Sequence, residues 1–328
     1  MKLATFKDGT RDGRLLVVSG DLKQAVDASR IAPTLLLAIE NWEAAEDRLQ
    51  RLAAELATGK AHGAFELDCR RLHAPLPRTW QWLDASTFHS HSDLLERVLG
   101  QTPPPEKRIV PLMYQGGSDD FLGPTDDMPL PSADDDIDFE GEVAIIVDRV
   151  PMGTTVEEAG VHIKLLMLVN DASLRGLARR ELATGYGFLQ CKPASCFSPV
   201  AVTPDELGPG GWQDFRVRHP LCVWRNDTSF GNPDAGQMGF SFAQLIAHAA
   251  RTRNLSAGTI IGSGTVSNDN YRDVGSACIA ERRAVEHADF GSSLTPYLGF
   301  GERVRMEMFD ADGRSIFGAI DHRIVKAG

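Results

Sequence analysis

The sequence centres on Asp138-Phe139-Glu140-Gly141-Glu142-Val143-Ala144-Ile145-Ile146-Val147. Its second half is apolar and rich in β-branched residues, which is typical of a strand that enters a core. Residues two apart on a strand point to the same face, so Glu140 and Glu142 should project side by side at the mouth of this strand. Two carboxylates there repel each other and lose hydration. The stretch therefore predicts a bound cation or a protonated carboxylate.

A second buried run follows about thirty residues later. Leu165–Val169 is apolar and ends in Asn170-Asp171. If this strand lies beside the first, Asp171 adds a third carboxylate, and three hard oxygen ligands suit Mg²⁺, Ca²⁺ or Mn²⁺. The alternative is that Glu140 and Glu142 face water on an edge strand, while Asp171 caps a helix.

Composition excludes several classes of protein. The chain has 328 residues, 42% hydrophobic and 24% charged, as expected for a soluble globular protein of one large or two unequal domains. Its net charge of −11 argues against a nucleic-acid partner but not against a small anionic substrate in a basic pocket. Five cysteines without a CxxC pair favour a reduced, cytoplasmic protein. No run reaches membrane length and no signal peptide is evident, so we expect no membrane partner.

Residues 1–77 are predicted to form a small N-terminal α+β domain. Two strand-like segments, residues 2–6 and 14–19, are separated by two Asp-Gly turn signals, and residues 35–56 show helical periodicity. A Pro-Leu-Pro linker closes this domain. Residues 78–328 then form the catalytic domain, whose C-terminal third is rich in strand patterns.

A histidine and a tyrosine precede the central stretch. A short helix carries His91 on the same face as Leu94 and Val98. Such a histidine is either a hydrogen-bonded core residue or part of a site. The loop predicted over residues 103–120 contains Tyr114, and long glycine-containing loops often border sites.

Two glycine-rich segments follow the second strand. Residues 185–191 lead into Lys192, which is either exposed to solvent or, if buried beside carboxylates, able to stabilise an oxyanion. Residues 261–267 bring backbone N–H groups and Thr265 close to a ligand, or simply end a strand in a tight turn.

Several common catalytic motifs are absent. The sequence has no GxxxxGK[ST] and no GxGxxG after a strand, so it gives no support for a nucleotide cofactor. It also lacks GxSxG and HExxH, which argues against a serine hydrolase elbow and a zinc protease helix.

Four segments in order resemble the fumarylacetoacetate hydrolase family: Asp138-Phe139-Glu140-Gly141-Glu142, Asn170-Asp171 with Arg175, Phe188-Leu189 with Lys192, and Ser263-Gly264-Thr265-Val266-Ser267. The likeness covers roughly residues 80–325, and residues 1–77 resemble the small domain that accompanies fumarylacetoacetase. It implies an α+β fold, a mixed β-sandwich roll with flanking helices and a small N-terminal α+β domain. It also implies a homodimer.

The resemblance assigns roles to nine residues. Glu140, Glu142 and Asp171 would ligate Mg²⁺ or Ca²⁺, with Mn²⁺ as an alternative. The catalytic residues would be His91, Lys192, Arg175 and Glu281, and the substrate-binding residues Tyr114 and Thr265. His91 would be the general base, Lys192, Arg175 and Tyr114 would hold substrate oxygens, and Thr265 a distal carboxylate.

Departures from the family pattern leave some of these roles open. A fourth carboxylate is expected from the segment that aligns with residues 86–88, but Thr87 takes that position. His89 is an alternative to His91 as the base. A glutamate expected three residues after the histidine is replaced by Leu94, and Glu281 is its substitute.

The implied reaction is metal-dependent hydrolysis of a C–C bond in a small anionic β-diketo acid. Fumarylacetoacetate, an intermediate of tyrosine breakdown, is the expected substrate, with fumarate and acetoacetate as products. Sister activities of the family are the alternatives: acylpyruvate hydrolase, oxaloacetate decarboxylase, and isomerase or hydratase of hydroxy-dienoates. A catalytically silent binding protein is the alternative outside the enzymes.

Overall fold

The computed structural model describes residues 1–99 and 106–328. Its strands are β1 Lys2–Phe6, β2 Arg14–Val18, β3 Gln24–Asp27, β4 Phe65–Glu66, β5 Trp82–Ala85, β6 Met113–Gly116, β7 Met128–Leu130, β8 Ile137–Asp138, β9 Gly141–Val147, β10 Ile163–Asn170, β11 Ser173–Leu174, β12 Cys196–Phe197, β13 Ala201–Val202, β14 Trp212–Gln213, β15 Arg216–Val217, β16 Leu221–Arg225, β17 Thr228–Gly231, β18 Ile260–Gly262, β19 Arg303–Met308 and β20 Ile320–Lys326. Its helices are α1 Leu35–Glu40, α2 Trp42–Ala57, α3 His89–Leu99, α4 Val156–Ala159, α5 Arg175–Thr184, α6 Phe242–Ala249, α7 Tyr271–Val274 and α8 Ile279–Phe290.

A large mixed sheet runs through the molecule in the order β4-β3-β2-β1-β13-β10-β9-β18-β5-β6. β9 and β10 lie at its centre and pair antiparallel, with Val169 opposite Glu142. Alternate residues of both strands pack into separate hydrophobic clusters on the two faces of the sheet. This double burial explains why both strands are nearly continuous apolar runs, and it confirms that the two runs are neighbours.

A second sheet has the order β17-β16-β19-β20-β7, and its last pair is parallel. Helices α1, α2 and α6 pack against the large sheet, and this mixture of helices and mixed sheets confirms the α+β fold class. Strands of residues 1–77 join the large sheet, because β1 pairs with β13. The division at residue 77 remains a prediction. No described helix is long and apolar enough to cross a membrane.

Local structure departs from the sequence predictions at three places. The helical segment 35–56 is interrupted at Asn41, where α1 ends and α2 begins. Tyr114 lies on β6 and not in a loop, because β6 pairs with β5 at the edge of the large sheet. Residues 103–105 of the predicted loop lie outside the described residues. Asp171 is not a helix cap, since Leu174 takes that position at α5.

Candidate metal centre

Three buried carboxylates converge at one point of the large sheet. Asp84 on β5, Glu142 on β9 and Asp171 just after β10 each offer an oxygen, and these oxygens lie within 4.8 Å of one another. Asp84 was not among the predicted ligands. Thr87 takes the position where the family pattern has a fourth carboxylate. Asp84, three residues earlier, supplies a carboxylate instead. The Thr87 hydroxyl instead donates to the carbonyl of Ser263 at 2.6 Å.

Gly262 makes room for the Asp84 side chain, and Gly264 donates a hydrogen bond to it. β18 pairs with β5 on one side and β9 on the other, so its end faces the Asp84 side chain. A Cβ on Gly262 would lie 2.3 Å from Asp84 Oδ1, a distance that no side chain tolerates. Gly264 has a φ of +79°, and its N–H donates to the same oxygen at 3.2 Å. The glycine-rich segment 261–267 thus shapes the carboxylate cluster.

The cluster lacks compensation at Glu142. Among the described residues no donor reaches either carboxylate oxygen of Glu142, although both are buried. Burial, followed by the charges of Asp84 and Asp171, raises the pKa of Glu142 well above its usual value. Burial and the charge of Asp171 likewise raise the pKa of Asp84 to about 7. Oxygen-only donors with unmet charge fit a hard divalent cation such as Mn²⁺, Mg²⁺ or Ca²⁺.

Glu140 has a different environment from Glu142. Arg175 Nη2 and Lys192 Nζ each donate to one Glu140 oxygen, both at 2.6 Å. Burial would raise the pKa of Glu140, but the charges of Arg175 and Lys192 outweigh it and hold that pKa well below its usual value. Glu140 is therefore neutralised by protein cations, and it stands outside the converging group of three. Its role as a metal ligand remains a prediction.

Three polar side chains hold Asp171, one from β6 and two from the segment between α5 and β12. Lys192 Nζ bridges Asp171 and Glu140. The Tyr114 hydroxyl donates to Asp171 Oδ2 at 2.5 Å, and Ser195 Oγ donates to Oδ1 at 2.9 Å. Burial and the charge of Asp171 raise the pKa of Tyr114 well above its usual value, so its proton is retained. Lys192 and Tyr114 thus lie at the edge of the carboxylate cluster, and their contact with substrate oxygens remains a prediction.

A buried histidine–glutamate pair joins α3 to α8. His91 Nδ1 on α3 lies 2.8 Å from Glu281 Oε2 on α8. Its Nε2 makes no hydrogen bond with any described residue. After burial and the charges of Arg175 and Lys192, His91 also contributes to the pKa of Glu140, so the ring lies within electrostatic range of that carboxylate. Such a pair has the geometry of a base and the carboxylate that orients it.

Asp138 connects this pair to Arg175. Its carboxylate accepts the backbone N–H groups of Ile279 at 2.7 Å and Ala280 at 2.9 Å, at the start of the helix that carries Glu281. Arg175 Nε donates to the same carboxylate at 2.9 Å. One buried aspartate therefore fixes both the helix and the guanidinium.

Two further residues considered from the sequence are Thr265, which lies near Asp84, and His89, which lies against Phe240. Thr265 is buried in the segment that contacts Asp84, and its hydroxyl makes no hydrogen bond with the described residues. His89 packs edge-on against Phe240, with ring centroids 5.6 Å apart, and does not contact the carboxylates. His91 is thus the histidine that the structure brings to Glu281.

A series of buried hydrogen bonds behind the site has no counterpart among the sequence predictions. Asn170 Oδ1 accepts the backbone N–H of Glu140 at 3.0 Å, and Asn170 Nδ2 donates to His322 Nε2 at 2.9 Å. Burial lowers the pKa of His322 to about 4, so the ring is neutral and accepts this bond. No local pattern marked His322, since it lies far along the chain on β20.

Comparison with known families covers nearly the whole chain. Residues 82–325 match the fumarylacetoacetate (FAA) hydrolase C-terminal family, and residues 1–78 match fumarylacetoacetase N-terminal domain 2. The 2,4-didehydro-3-deoxy-L-rhamnonate hydrolase of Sphingomonas sp. (strain SKA58) is 28% identical over 47% of this chain and 52% of its own. Human mitochondrial oxaloacetate tautomerase FAHD2B is 25% identical over 47% of this chain and 48% of its own. The chain thus spans about half the length of these curated relatives.

Solved structures share the fold at low identity. The fumarylacetoacetate hydrolase of Exiguobacterium antarcticum superposes with a TM-score of 0.67 at 19% identity, over 100% of both chains. The maleylpyruvate hydrolase of Sphingobium sp. SYK-6, in complex with manganese(II) and pyruvate, gives 0.66 at 18% identity, again over 100% of both chains. With the family match over residues 82–325, these findings establish that the chain belongs to the fumarylacetoacetate hydrolase family.

Proposed function

We propose that this protein is a metal-dependent hydrolase that cleaves a C–C bond in a β-diketo acid. The observation that supports the proposal is the buried His91–Glu281 pair in a domain that also holds three converging carboxylates. A cation alone suffices to polarise a keto acid, whereas hydrolysis also needs a base for water. We propose Mg²⁺, Ca²⁺ or Mn²⁺ as the cofactor, because the donors are oxygens only.

A divalent cation at Asp84, Glu142 and Asp171 would supply Lewis-acid polarisation of a substrate carbonyl. The protein supplies the proton transfer. His91 Nε2 would take a proton from water, because Nδ1 is held by Glu281, whose charge stabilises the imidazolium. The hydroxide would attack the carbonyl carbon, the bond to the neighbouring methylene would break, and the departing carbanion would take the proton back from the His91 imidazolium. One acid and one ketone result.

Lys192 and Arg175 supply positive charge for the oxygens of the reacting group. Both are held by Glu140, so their positions are fixed before substrate arrives. Tyr114 adds a neutral hydroxyl on the same side. Contacts of this kind contribute about 10²–10³-fold each to rate.

Fumarylacetoacetate is our first candidate substrate, in keeping with the family match over both parts of the chain. Acylpyruvates are the second, because the structural neighbours include hydrolases of maleylpyruvate and fumarylpyruvate. The purified protein loaded with Mn²⁺ should split one of these compounds. Turnover of neither would contradict the proposal.

Replacement of His91 tests the mechanism. His91→Ala should lower kcat about 10²–10⁴-fold, the usual contribution of a general base. His89→Ala on the same helix is the matched control and should retain activity. Equal losses in both variants would contradict the role of His91.

A second activity is suggested by the tautomerase relatives. Oxaloacetate tautomerisation or decarboxylation would use the same carboxylate cluster without a water-activating base. Oxaloacetate turnover that survives His91→Ala, with no cleavage of any diketo acid, would favour that activity.

A further inference from the structure

The start of helix α8 depends on an acceptor outside the helix. Glu281 is the third residue of α8, and a glutamate at that position commonly accepts the N–H of the cap residue. Here Glu281 Oε2 lies 2.8 Å from His91 Nδ1 instead, and Oε1 makes no hydrogen bond within residues 1–99 and 106–328. The Glu281 carboxylate therefore takes no part in capping its own helix.

Asp138 and Cys278 accept the first three N–H groups of α8, which have no partner inside the helix. Asp138 Oδ1 accepts the N–H of Ile279 at 2.7 Å, and Oδ2 accepts the N–H of Ala280 at 2.9 Å. The N–H of Glu281 donates to Sγ of the cap residue Cys278 at 3.2 Å. The Asp138 carboxylate also faces the positive end of the helix dipole. Asp138 thus caps α8 in place of Glu281, whose carboxylate is left free for another partner.

Asp138 is itself held by its surroundings. It is fully buried on β8, and the pairing of β8 with β11 places it opposite Ser173. Arg175, the first residue of α5, donates from Nε to Asp138 Oδ2 at 2.9 Å. This cation offsets the cost of burying a carboxylate. Arg175 does not depend on Asp138 alone, because its Nη2 also donates to Glu140 at 2.6 Å.

A carboxylate at this position exceeds what a helix cap requires. Asparagine and serine cap helices about as well as aspartate does, and neither needs a buried cation. Asp138 accepts three hydrogen bonds, whereas the single oxygen of an asparagine has two lone pairs and cannot accept all three. The start of α8 is therefore fixed to β8 and α5 more firmly than a neutral cap would fix it.

We infer that Asp138 is a positioning residue for the proposed hydrolysis and that it acts through Glu281. Asp138 lies outside the three converging carboxylates. By capping α8 it keeps the Glu281 carboxylate directed at His91, so that Nε2 of the ring faces water. Without Asp138, Glu281 turns back to cap its own helix and His91 loses its orientation. The inference rests on the proposed function, in which His91 is the general base.

Asp138→Asn tests the inference, because it keeps one acceptor oxygen and turns an NH₂ group toward the N–H donors of Ala280 and Arg175. The kcat of the Mn²⁺-loaded enzyme should fall about 10–100-fold, the range typical of groups that orient the residues of a site. KM should change less than about 3-fold, since Arg175 is still held by Glu140. Calorimetric titration should give the wild-type affinity for Mn²⁺. A lowered Mn²⁺ affinity with an unchanged kcat would overturn the inference.

A double-mutant cycle tests whether Asp138 acts through Glu281. Glu281→Gln removes the charge that orients His91 and should lower kcat by itself. In that background Asp138→Asn should lower kcat by no more than about 2-fold, because residues that act as a unit are not additive. A further loss of about 10–100-fold would mean that the two residues act independently, and the inference would fail.

Asp68→Asn is the matched control. Asp68 accepts the backbone N–H of Arg70 at 3.1 Å at the start of a short 3₁₀ helix, and Arg70 Nε donates to the same oxygen at 2.9 Å. It therefore makes the same kinds of hydrogen bond as Asp138, but in the N-terminal part of the chain. Its kcat should equal that of the wild type, and a loss as large as that of Asp138→Asn would contradict a specific role for Asp138.

Amide hydrogen exchange tests the inference without turnover. The amides of Ile279 and Ala280 should exchange slowly in the wild type, because Asp138 accepts both. In Asp138→Asn the amide of Ala280 should exchange at least about 10-fold faster, while the amides of β9 keep their rates. This result would support the cap even if no diketo acid is cleaved. Fast exchange of both amides in the wild type would overturn the inference, whether or not the variant folds.

Discussion

Glu140 and Glu142 stand one residue apart at the start of β9, yet they belong to opposite electrostatic environments. Arg175 and Lys192 contact Glu140 at 2.6 Å and lower its pKa. Glu142 has no donor among the described residues, and its pKa is raised. The same residue type on the same strand is thus compensated in one half of the site and uncompensated in the other.

The difference indicates where a cation belongs. Buried charges without partners destabilise a fold, and proteins retain them where a ligand completes them. The half with Glu140 is already neutral, so it can hold Lys192 and Arg175 in place. When Asp84, Glu142 and Asp171 are all ionised, only Lys192 pairs with this group among the described residues, so it carries excess negative charge that a divalent ion would cancel.

The largest expected effect comes from Glu142→Gln. This change removes a charged oxygen from the uncompensated half, so Mn²⁺ affinity should fall about 10³-fold, beyond the 10–100-fold typical of supporting groups. Activity should fall with it. Calorimetric titration of Mn²⁺ and assay at saturating metal would measure both. Wild-type affinity in this variant would contradict the assignment of the site.

Glu140→Gln is the matched change in the compensated half. It leaves Arg175 and Lys192 buried without their shared partner, so the free energy of unfolding without metal should fall by about 3 kcal/mol. Glu142→Gln should cause no such loss, because its carboxylate has no partner to abandon. Denaturant unfolding of the two metal-free variants measures this difference. Equal losses of unfolding free energy would contradict the different environments assigned to Glu140 and Glu142.

The strands β9 and β10 could be predicted from the sequence, whereas one member of the carboxylate cluster could not. β9, β10 and the acids beside them could be predicted, because alternation and apolar runs are local signals. Asp84 could not, because it joins the cluster through the parallel pairing of β5 with β18, which lies far along the chain. The local trace is Gly262, whose missing side chain leaves space for Asp84.

Contacts between residues far apart in the sequence could not be predicted either. Glu281 was expected only through the family likeness, and its distance from His91 depends on how α8 is anchored by Asp138. Asp138 itself looked like the first residue of a motif, with no sign that it caps a helix. Tyr114 was placed in a loop because glycines follow it, whereas edge pairing with β5 makes it a strand residue.

The uncompensated half should also make the metal-free protein sensitive to pH. The pKa of Asp84 is raised from 3.8 to about 7, so its contribution to stability is present at low pH and is lost as pH rises through about 7. Metal-free protein should therefore lose about 4 kcal/mol of unfolding free energy as pH rises from about 4 to about 7, the interval between the unfolded and folded pKa values of Asp84. Urea unfolding with a chelator present measures this.

Asp84→Asn is the control for the pH effect. It removes the titrating group, so the difference between wild type and variant isolates Asp84. The neutral His322 acts in the opposite direction, since its pKa is lowered to about 4, but it contributes equally to both proteins. Bound Mn²⁺ should also abolish the loss, because the ion takes the place of the proton. Stability that rises with pH relative to Asp84→Asn would contradict the raised pKa.

The smallest effect compares two buried serines. Ser195 Oγ donates to Asp171 Oδ1 at 2.9 Å in the uncompensated half, and Ser173 Oγ donates to Glu140 Oε2 at 3.2 Å in the compensated half. Ser195→Ala should weaken Mn²⁺ binding about 10-fold, because a group that orients a ligand is lost. Ser173→Ala should change it much less, since Arg175 and Lys192 still hold Glu140. Equal effects in Mn²⁺ titrations would mean that Glu140 also ligates the ion and that the two halves act as one.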